Sequence, residues 1–168
     1  TIDEAIAMAH KLKAFNPKWL EEPIWPPEDH TGLARVQAQG FIPTAAGENA
    51  MLPEFKSMFE YGAITYAQPS VTKVGGVTQM RKVMALADAF GVNVVPHSAY
   101  FGPGLLASIH CIAAMPGESL VERYDADFAQ NVLHDAINPN QNGCIAVPQG
   151  PGLGCDPDPA VVAKLRVA

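Results

Sequence analysis

Residues 64–98 read ITYAQPSVTKVGGVTQMRKVMALADAFGVNVVPHS, and this stretch decides the fold. A short apolar run at 64–67 stops at Gln68-Pro69-Ser70. After Lys73-Val74-Gly75-Gly76, residues 77–90 carry a long helical pattern, and a second apolar run at 92–95 stops at Pro96-His97-Ser98. A strand, a helix and a strand in that order form a crossover unit whose strands lie parallel.

The same pattern continues on both sides. Downstream, an apolar helix is expected at 105–115, and a last strand at 119–121 ends at Glu122-Arg123. Upstream, residues 2–14 place Ile2, Ala5, Ala9 and Leu12 on one helical face, with Asp3 and Glu4 in the first turn where the helix dipole favours acids. Trp19-Leu20 then runs into Glu21-Glu22-Pro23, a short strand closed off by proline, and Pro26 and Pro27 keep the following loop open. A strand at 42–46 ends at Gly47-Glu48 and is followed by a helical segment at 51–61.

The strand ends fall at Glu21, Glu48, Ser70, His97 and Glu122, separated by 27, 22, 27 and 25 residues on subtraction. Near-uniform βα units with a polar residue at each carboxyl end predict an α/β fold, a partial TIM-type (β/α) barrel of about five units, because such a barrel gathers those ends on one face. An open doubly wound sheet shares the alternation but collects its ligand groups around one switch point. Five strands do not close an eight-stranded barrel and would leave edges exposed, so roughly three βα units are expected before Thr1. The domain reading is residues 1–136 for the barrel part and 137–168 for a carboxyl-terminal segment rich in Asn, Gly and Pro, with a short strand near 143–148 and a terminal helix near 159–167.

The composition narrows the function. With 48% hydrophobic and 17% charged residues, the 168-residue chain can bury a substantial core. A net charge of −6 leaves no basic face, so nucleic acid is not an expected partner. No apolar run approaches the roughly 20 residues of a membrane helix, and a cytoplasmic location is expected. Cys111, Cys144 and Cys155 show no paired spacing that would support a disulfide framework or a zinc site.

Glu21 and Glu48, at neighbouring strand ends, offer hard oxygen donors to one cup-shaped site, which suits magnesium; each can also be read as a solvated loop acid. His97 lies on the same face, and a histidine is the natural proton-transfer group at neutral pH. His110 reads as a packed histidine, and His10, His30 and His134 show no ligand spacing with one another.

The words Trp19-Leu20-Glu21-Glu22-Pro23, Gly47-Glu48-Asn49, Gln68-Pro69-Ser70-Val71-Thr72-Lys73-Val74-Gly75-Gly76, Pro96-His97-Ser98, Val121-Glu122-Arg123 and Gly150-Pro151-Gly152-Leu153-Gly154, in this order, resemble the mandelate racemase-like branch of the enolase superfamily. The resemblance implies Glu21 and Glu48 as two of the magnesium ligands, with Glu22 and Asn49 as supporting neighbours. It implies His97 as general acid/base and Glu122 as the partner of a substrate carboxylate or its enolate. Lys73 falls in the family's Lys-x-Gly-Gly turn and reads as structural. A further metal-ligating acid and an opposite-face lysine base would precede Thr1.

In the His-Asp version of the family an aspartate supports the histidine, and here Ser70 takes that place. A hydroxyl orients an imidazole but does not raise its pKa as a carboxylate does. The resemblance therefore implies a magnesium-dependent dehydratase of a sugar acid or related α-hydroxy carboxylate, working through α-proton abstraction to a metal-stabilised enediolate and loss of a β-hydroxyl. The alternatives are a racemase or epimerase of an α-hydroxy acid, and a non-catalytic structural or subunit fragment. The expected partners are a small-molecule carboxylate and further copies of the protein in a homo-oligomer.

Overall fold

A computed structural model describes residues 1–117, 119–125, 131–133 and 136–167. The chain packs as two compact units, Thr1–His97 and Ser98–Ala168.

The first unit opens with α1 (Ile2–Leu12), which starts where it does because Thr1 and Glu4 cap each other. The Glu4 amide donates to Thr1 Oγ1 at 3.3 Å, and the Thr1 hydroxyl donates to Glu4 Oε2 at 2.7 Å. The Thr1 backbone nitrogen also donates to Glu4 Oε2, at 3.0 Å, and this reciprocal box satisfies the Glu4 amide, which the first turn otherwise leaves without a partner. Ala5 and Ala9 form its buried stripe, a 3-10 turn (Lys13–Phe15) follows, and Asn16 ends it in the left-handed region.

Next come β1 (Leu20–Glu21), α2 (His30–Gln39), β2 (Thr44–Ala46), α3 (Leu52–Glu60), β3 (Tyr66–Ala67), α4 (Gly76–Phe90) and β4 (Asn93–Val94). The four short strands form one parallel sheet in the order β1-β2-β3-β4. Leu20 is in register with Thr44, Ala45 with Tyr66, and Tyr66 with Asn93. An order that never reverses over four strands has no switch point, which favours the barrel arrangement over the doubly wound sheet.

Where the sequence predicts an open loop after Pro26 and Pro27, the structure forms the helix α2. Its signal is weak because only Gly32, Leu33 and Val36 are buried among polar neighbours. Its start is fixed by Asp29, whose carboxylate accepts from the Gly32 amide at 2.8 Å and the Thr31 hydroxyl at 2.9 Å. Both contacts stabilise the ionised form and hold the Asp29 pKa below the usual carboxylate range.

The sheet is covered by Phe55, Met58, Met80 and Val83, all at most 2% exposed, and the β2 residues Thr44, Ala45 and Ala46 are all buried. A strand buried on both faces is what a parallel sheet requires of its sequence.

The second unit contains α5 (Pro103–Ala113) and α6 (Pro159–Leu165). Its core joins Leu105, Leu106 and Ile109 to Leu133 and Ile137, with Val147, Leu153 and Cys155 packed against them. His110 is half-buried, and its Nε2 lies 3.0 Å from the Leu153 carbonyl, to which it donates. Two expected strands are corrected. Residues 119–121 and 143–148 adopt no strand among the described residues, because neither finds a backbone ladder there. Residues 140–144 instead form a turn around the Asn140 side chain, which accepts from the Asn142 and Cys144 amides. His134 lies outside the described residues. Among the described residues, no helix is long and apolar enough to cross a membrane.

Candidate active site

The carboxyl ends of the four strands carry the first unit's candidate site residues. Glu21 is the last residue of β1, and its Oε2 accepts from Gln68 Nε2 at 2.7 Å and from the Trp19 indole at 3.1 Å. Gln68 is the residue after β3 and is 3% exposed, so the acid on one strand is held by a buried amide from the next strand but one. The Trp19 ring in turn packs on Tyr66, with centroids 5.1 Å apart. Glu22 has a positive φ of 37°, and its Oε1 accepts from the Gly47 amide at 3.3 Å, which ties the end of β1 to the end of β2.

Glu48 follows β2 past Gly47. The Gly47 backbone, at φ +123°, leaves no room for a Cβ, which would sit 2.5 Å from Phe55 Cε1. Only glycine lets the chain turn here over the buried ring and deliver the next side chain to the face. Glu48 Oε1 accepts from Asn49 Nδ2 at 2.8 Å and lies 3.4 Å from Lys73 Nζ, while Oε2 lies 3.4 Å from His97 Nδ1. Lys73 Nζ also donates to Asn49 Oδ1 at 2.9 Å. The imidazole of His97 is 14% exposed. Ser70 is fully buried beyond β3, with its Oγ 3.1 Å from Thr72 Oγ1.

In the second unit, Glu122 is fastened by Ser98: its Oε2 accepts from the Ser98 amide at 3.0 Å, and its carbonyl accepts from the Ser98 hydroxyl at 2.6 Å.

The first unit thus gathers Glu48, Asn49 and His97 into direct contact and places Glu21 on the strand paired with β2. Three participants escaped the sequence reading. Gln68 carries a legible signal, since it is a polar residue at a strand end like the others, and it stands nearer the end of β3 than Ser70 does. Lys73 was read as structural, and its ammonium proves to face Glu48. Trp19 was counted only as strand, yet its indole nitrogen donates to Glu21.

A separate cavity of about 180 Å³, lined in part by Glu22, His30, Gly47 and Glu54, adjoins the ends of β1 and β2. Of its polar groups, Glu22 holds the Gly47 amide, Glu54 the Met51 amide, His30 contacts Ser57 Oγ, and Asn49 belongs to the Glu48 cluster; Glu28 also lines it. Trp25, on the neighbouring loop, is 85% exposed and does not pack that loop.

For a metal, Glu21 and Glu48 supply hard carboxylate oxygens of the kind magnesium takes. They fit as a partial set, for among the described residues no three His, Cys, Asp or Glu side chains come together as one metal site.

The chain is 31% identical to the D-galactarolactone cycloisomerase of Agrobacterium fabrum, over 99% of this chain and 47% of that protein. It is 31% identical to the D-galactonate dehydratase of Ralstonia nicotianae, over 95% of this chain and 44% of that protein. Among solved structures, a mandelate racemase/muconate lactonizing enzyme-like protein from Roseovarius sp. TM1035 superposes with a TM-score of 0.87 at 30% identity, over 98% of this chain and 41% of that one. A racemase from Streptomyces coelicolor A3(2) with bound magnesium superposes with a TM-score of 0.79 at 31% identity, over 98% and 44%. The chain therefore spans less than half the length of these relatives. Residues 1–161 match the family described as enolase C-terminal domain-like, and the chain belongs to that family.

Proposed function

We propose that this chain supplies part of the active-site face of a magnesium-dependent dehydratase that acts on a sugar acid or related α-hydroxy carboxylate. The observation that carries the reading is the arrangement at the strand ends: Glu21 and Glu48 on paired parallel strands, with His97 Nδ1 3.4 Å from Glu48 Oε2. Relatives that act as a D-galactonate dehydratase and a D-galactarolactone cycloisomerase support the substrate class, and the magnesium in the Streptomyces racemase supports the metal.

Glu21 and Glu48 are the residues that would hold the ion. When bound, a divalent cation lowers the cost of the negative charge that develops on a substrate carboxylate as its α-proton leaves. Gln68 and Trp19 orient Glu21, while Asn49 orients Glu48. The Nδ1 of His97 faces Glu48, so Nε2 is the nitrogen assigned to the substrate. As a base on the opposite face of the substrate takes the α-proton, Nε2 gives a proton there to the departing β-hydroxyl, while the electron pair of the broken C–H bond forms the new double bond. Water leaves, and the resulting enol ketonises to a 2-keto-3-deoxy acid.

Ser70 takes the place of the aspartate of the His-Asp version of the family, and the carboxylate that faces His97 Nδ1 here is that of Glu48, at 3.4 Å. Glu122 is assigned the substrate carboxylate or its enolate. Two carboxylates alone hold magnesium weakly, so the 168-residue chain by itself is expected to be inactive.

The test is product analysis on the full-length gene product with a panel of acid sugars in deuterated water, with and without magnesium. Magnesium-dependent appearance of a 2-keto-3-deoxy acid supports dehydration. Deuterium at the α-carbon with no loss of water moves the assignment to racemisation or cycloisomerisation, the second reading, which the Agrobacterium relative favours.

A further inference from the structure

Lys73 stands in the turn between β3 and α4, and its contacts reach back to the end of β2. Its ammonium lies 2.9 Å from Asn49 Oδ1 and 3.4 Å from Glu48 Oε1, while Asn49 Nδ2 lies 2.8 Å from that same Glu48 oxygen. An ammonium only donates and an ionised carboxylate only accepts. The Asn49 amide therefore has a single orientation that satisfies both neighbours, with its oxygen to Lys73 and its NH₂ to Glu48.

The Asn49 and Lys73 contacts both fall on Oε1, while Oε2 faces His97 Nδ1 at 3.4 Å. The direct Lys73–Glu48 ion pair is long, and its side chains are 38% and 32% exposed, so on its own it contributes little. The bridging amide is the stronger link because both of its hydrogen bonds are short and involve a charged partner.

We infer that Lys73 is a positioning residue for Glu48: acting through Asn49, it commits Oε1 to Asn49 and Lys73 and turns Oε2, the oxygen on the His97 side, toward a divalent cation. The inference rests on the reading of Glu48 as a metal ligand, and it adds the device that sets how that ligand is presented. It also has an electrostatic signature. An ammonium near the site repels a divalent ion, so if Lys73 were only a nearby charge, its removal would tighten metal binding. If it positions the ligand, removal loosens binding.

The experiment is a Mn²⁺ titration of the full-length protein, with free ion read by its paramagnetic resonance signal. Wild type is compared with Lys73→Met, Lys73→Arg, Asn49→Ala and the Lys73→Met/Asn49→Ala double variant. Circular dichroism melts confirm that each is folded, and the exposed Asn49 position provides a second route should Lys73→Met not fold.

Lys73→Met is expected to weaken Mn²⁺ binding about 10-fold or more, the range found for outer partners of metal ligands. Asn49→Ala should do the same, and the double variant should be little worse than either, as two links of one chain require. Lys73→Arg should restore most of the affinity. If wild type binds Mn²⁺ and Lys73→Met binds it equally well or more tightly, the positioning role is wrong while Glu48 stands as a ligand. A wild type that binds no Mn²⁺ overturns this inference and the metal reading together.

Discussion

Replacing Gly47 with alanine tests the turn that delivers Glu48 to the face. At φ +123° an L-residue is strained, and such positions cost about 1–3 kcal/mol. The added Cβ would lie 2.5 and 2.6 Å from two ring carbons of Phe55, which is fully buried, and overpacking of that kind costs about 1–3 kcal/mol more. The sum, about 2–6 kcal/mol, corresponds to a fall in the urea midpoint of about 1 M or more at ordinary denaturant slopes.

Gly62 is the control. Its φ is +60° and a Cβ there meets nothing within 4 Å, so Gly62→Ala carries only the left-handed penalty of about 1–2 kcal/mol. Urea unfolding of the two variants, followed by circular dichroism, isolates the clash as their difference. Adding Phe55→Leu to Gly47→Ala should recover part of the loss, giving a coupling of about 1 kcal/mol or more in a double-mutant cycle. The reasoning is refuted if Gly47→Ala and Gly62→Ala destabilise equally, for then Phe55 does not enforce the glycine.

Three further outcomes are expected. The hydroxyl of fully buried Thr44 lies 2.6 Å from the Ala63 carbonyl and 2.7 Å from Gln37 Oε1, so Thr44→Val should cost about 1–3 kcal/mol in chemical denaturation despite its matched shape. Asp29 has a depressed folded pKa, so its stabilising contribution is present above the unfolded value of about 3.9 and is lost as pH falls through the folded value. Asp29→Asn keeps a capping oxygen, and thermal melts from pH 5 to pH 2 should fall less steeply in the variant. Gln68→Leu removes the buried amide that holds Glu21 Oε2, and Mn²⁺ affinity of the full-length protein should drop about 10-fold or more.

The sequence made the alternation of strands and helices legible because apolar runs of four or five residues ended in Gly, Pro and polar residues at regular spacing. It did not reveal α2, since Leu33 and Val36 alone make a faint stripe and the decisive signal is the local cap at Asp29. The expected strand at 119–121 failed for a different reason: a strand exists through its neighbour's backbone, and the short Ser-Leu-Val stretch does not announce whether one is beside it. At the site, residue types at strand ends named Glu21, Glu48 and His97. The partners that aim them were harder to see, because Gln68 and Lys73 act across 47 and 25 residues of sequence that only the parallel register brings together. Lys73 was the instructive case. Its place in a glycine turn suggested a purely local role, whereas its long side chain spans from that turn to Asn49.

The most direct test of the central reading is a comparison of wild-type, Glu48→Gln and His97→Asn full-length proteins on the acid sugar that wild type converts, assayed with magnesium and after chelation. The account predicts keto-acid formation that needs the metal and that falls by about 10²-fold or more in His97→Asn, the contribution expected of a positioned acid/base. It predicts that Glu48→Gln loses turnover together with metal affinity. Turnover that survives chelation, or that persists unchanged in either variant, would contradict it.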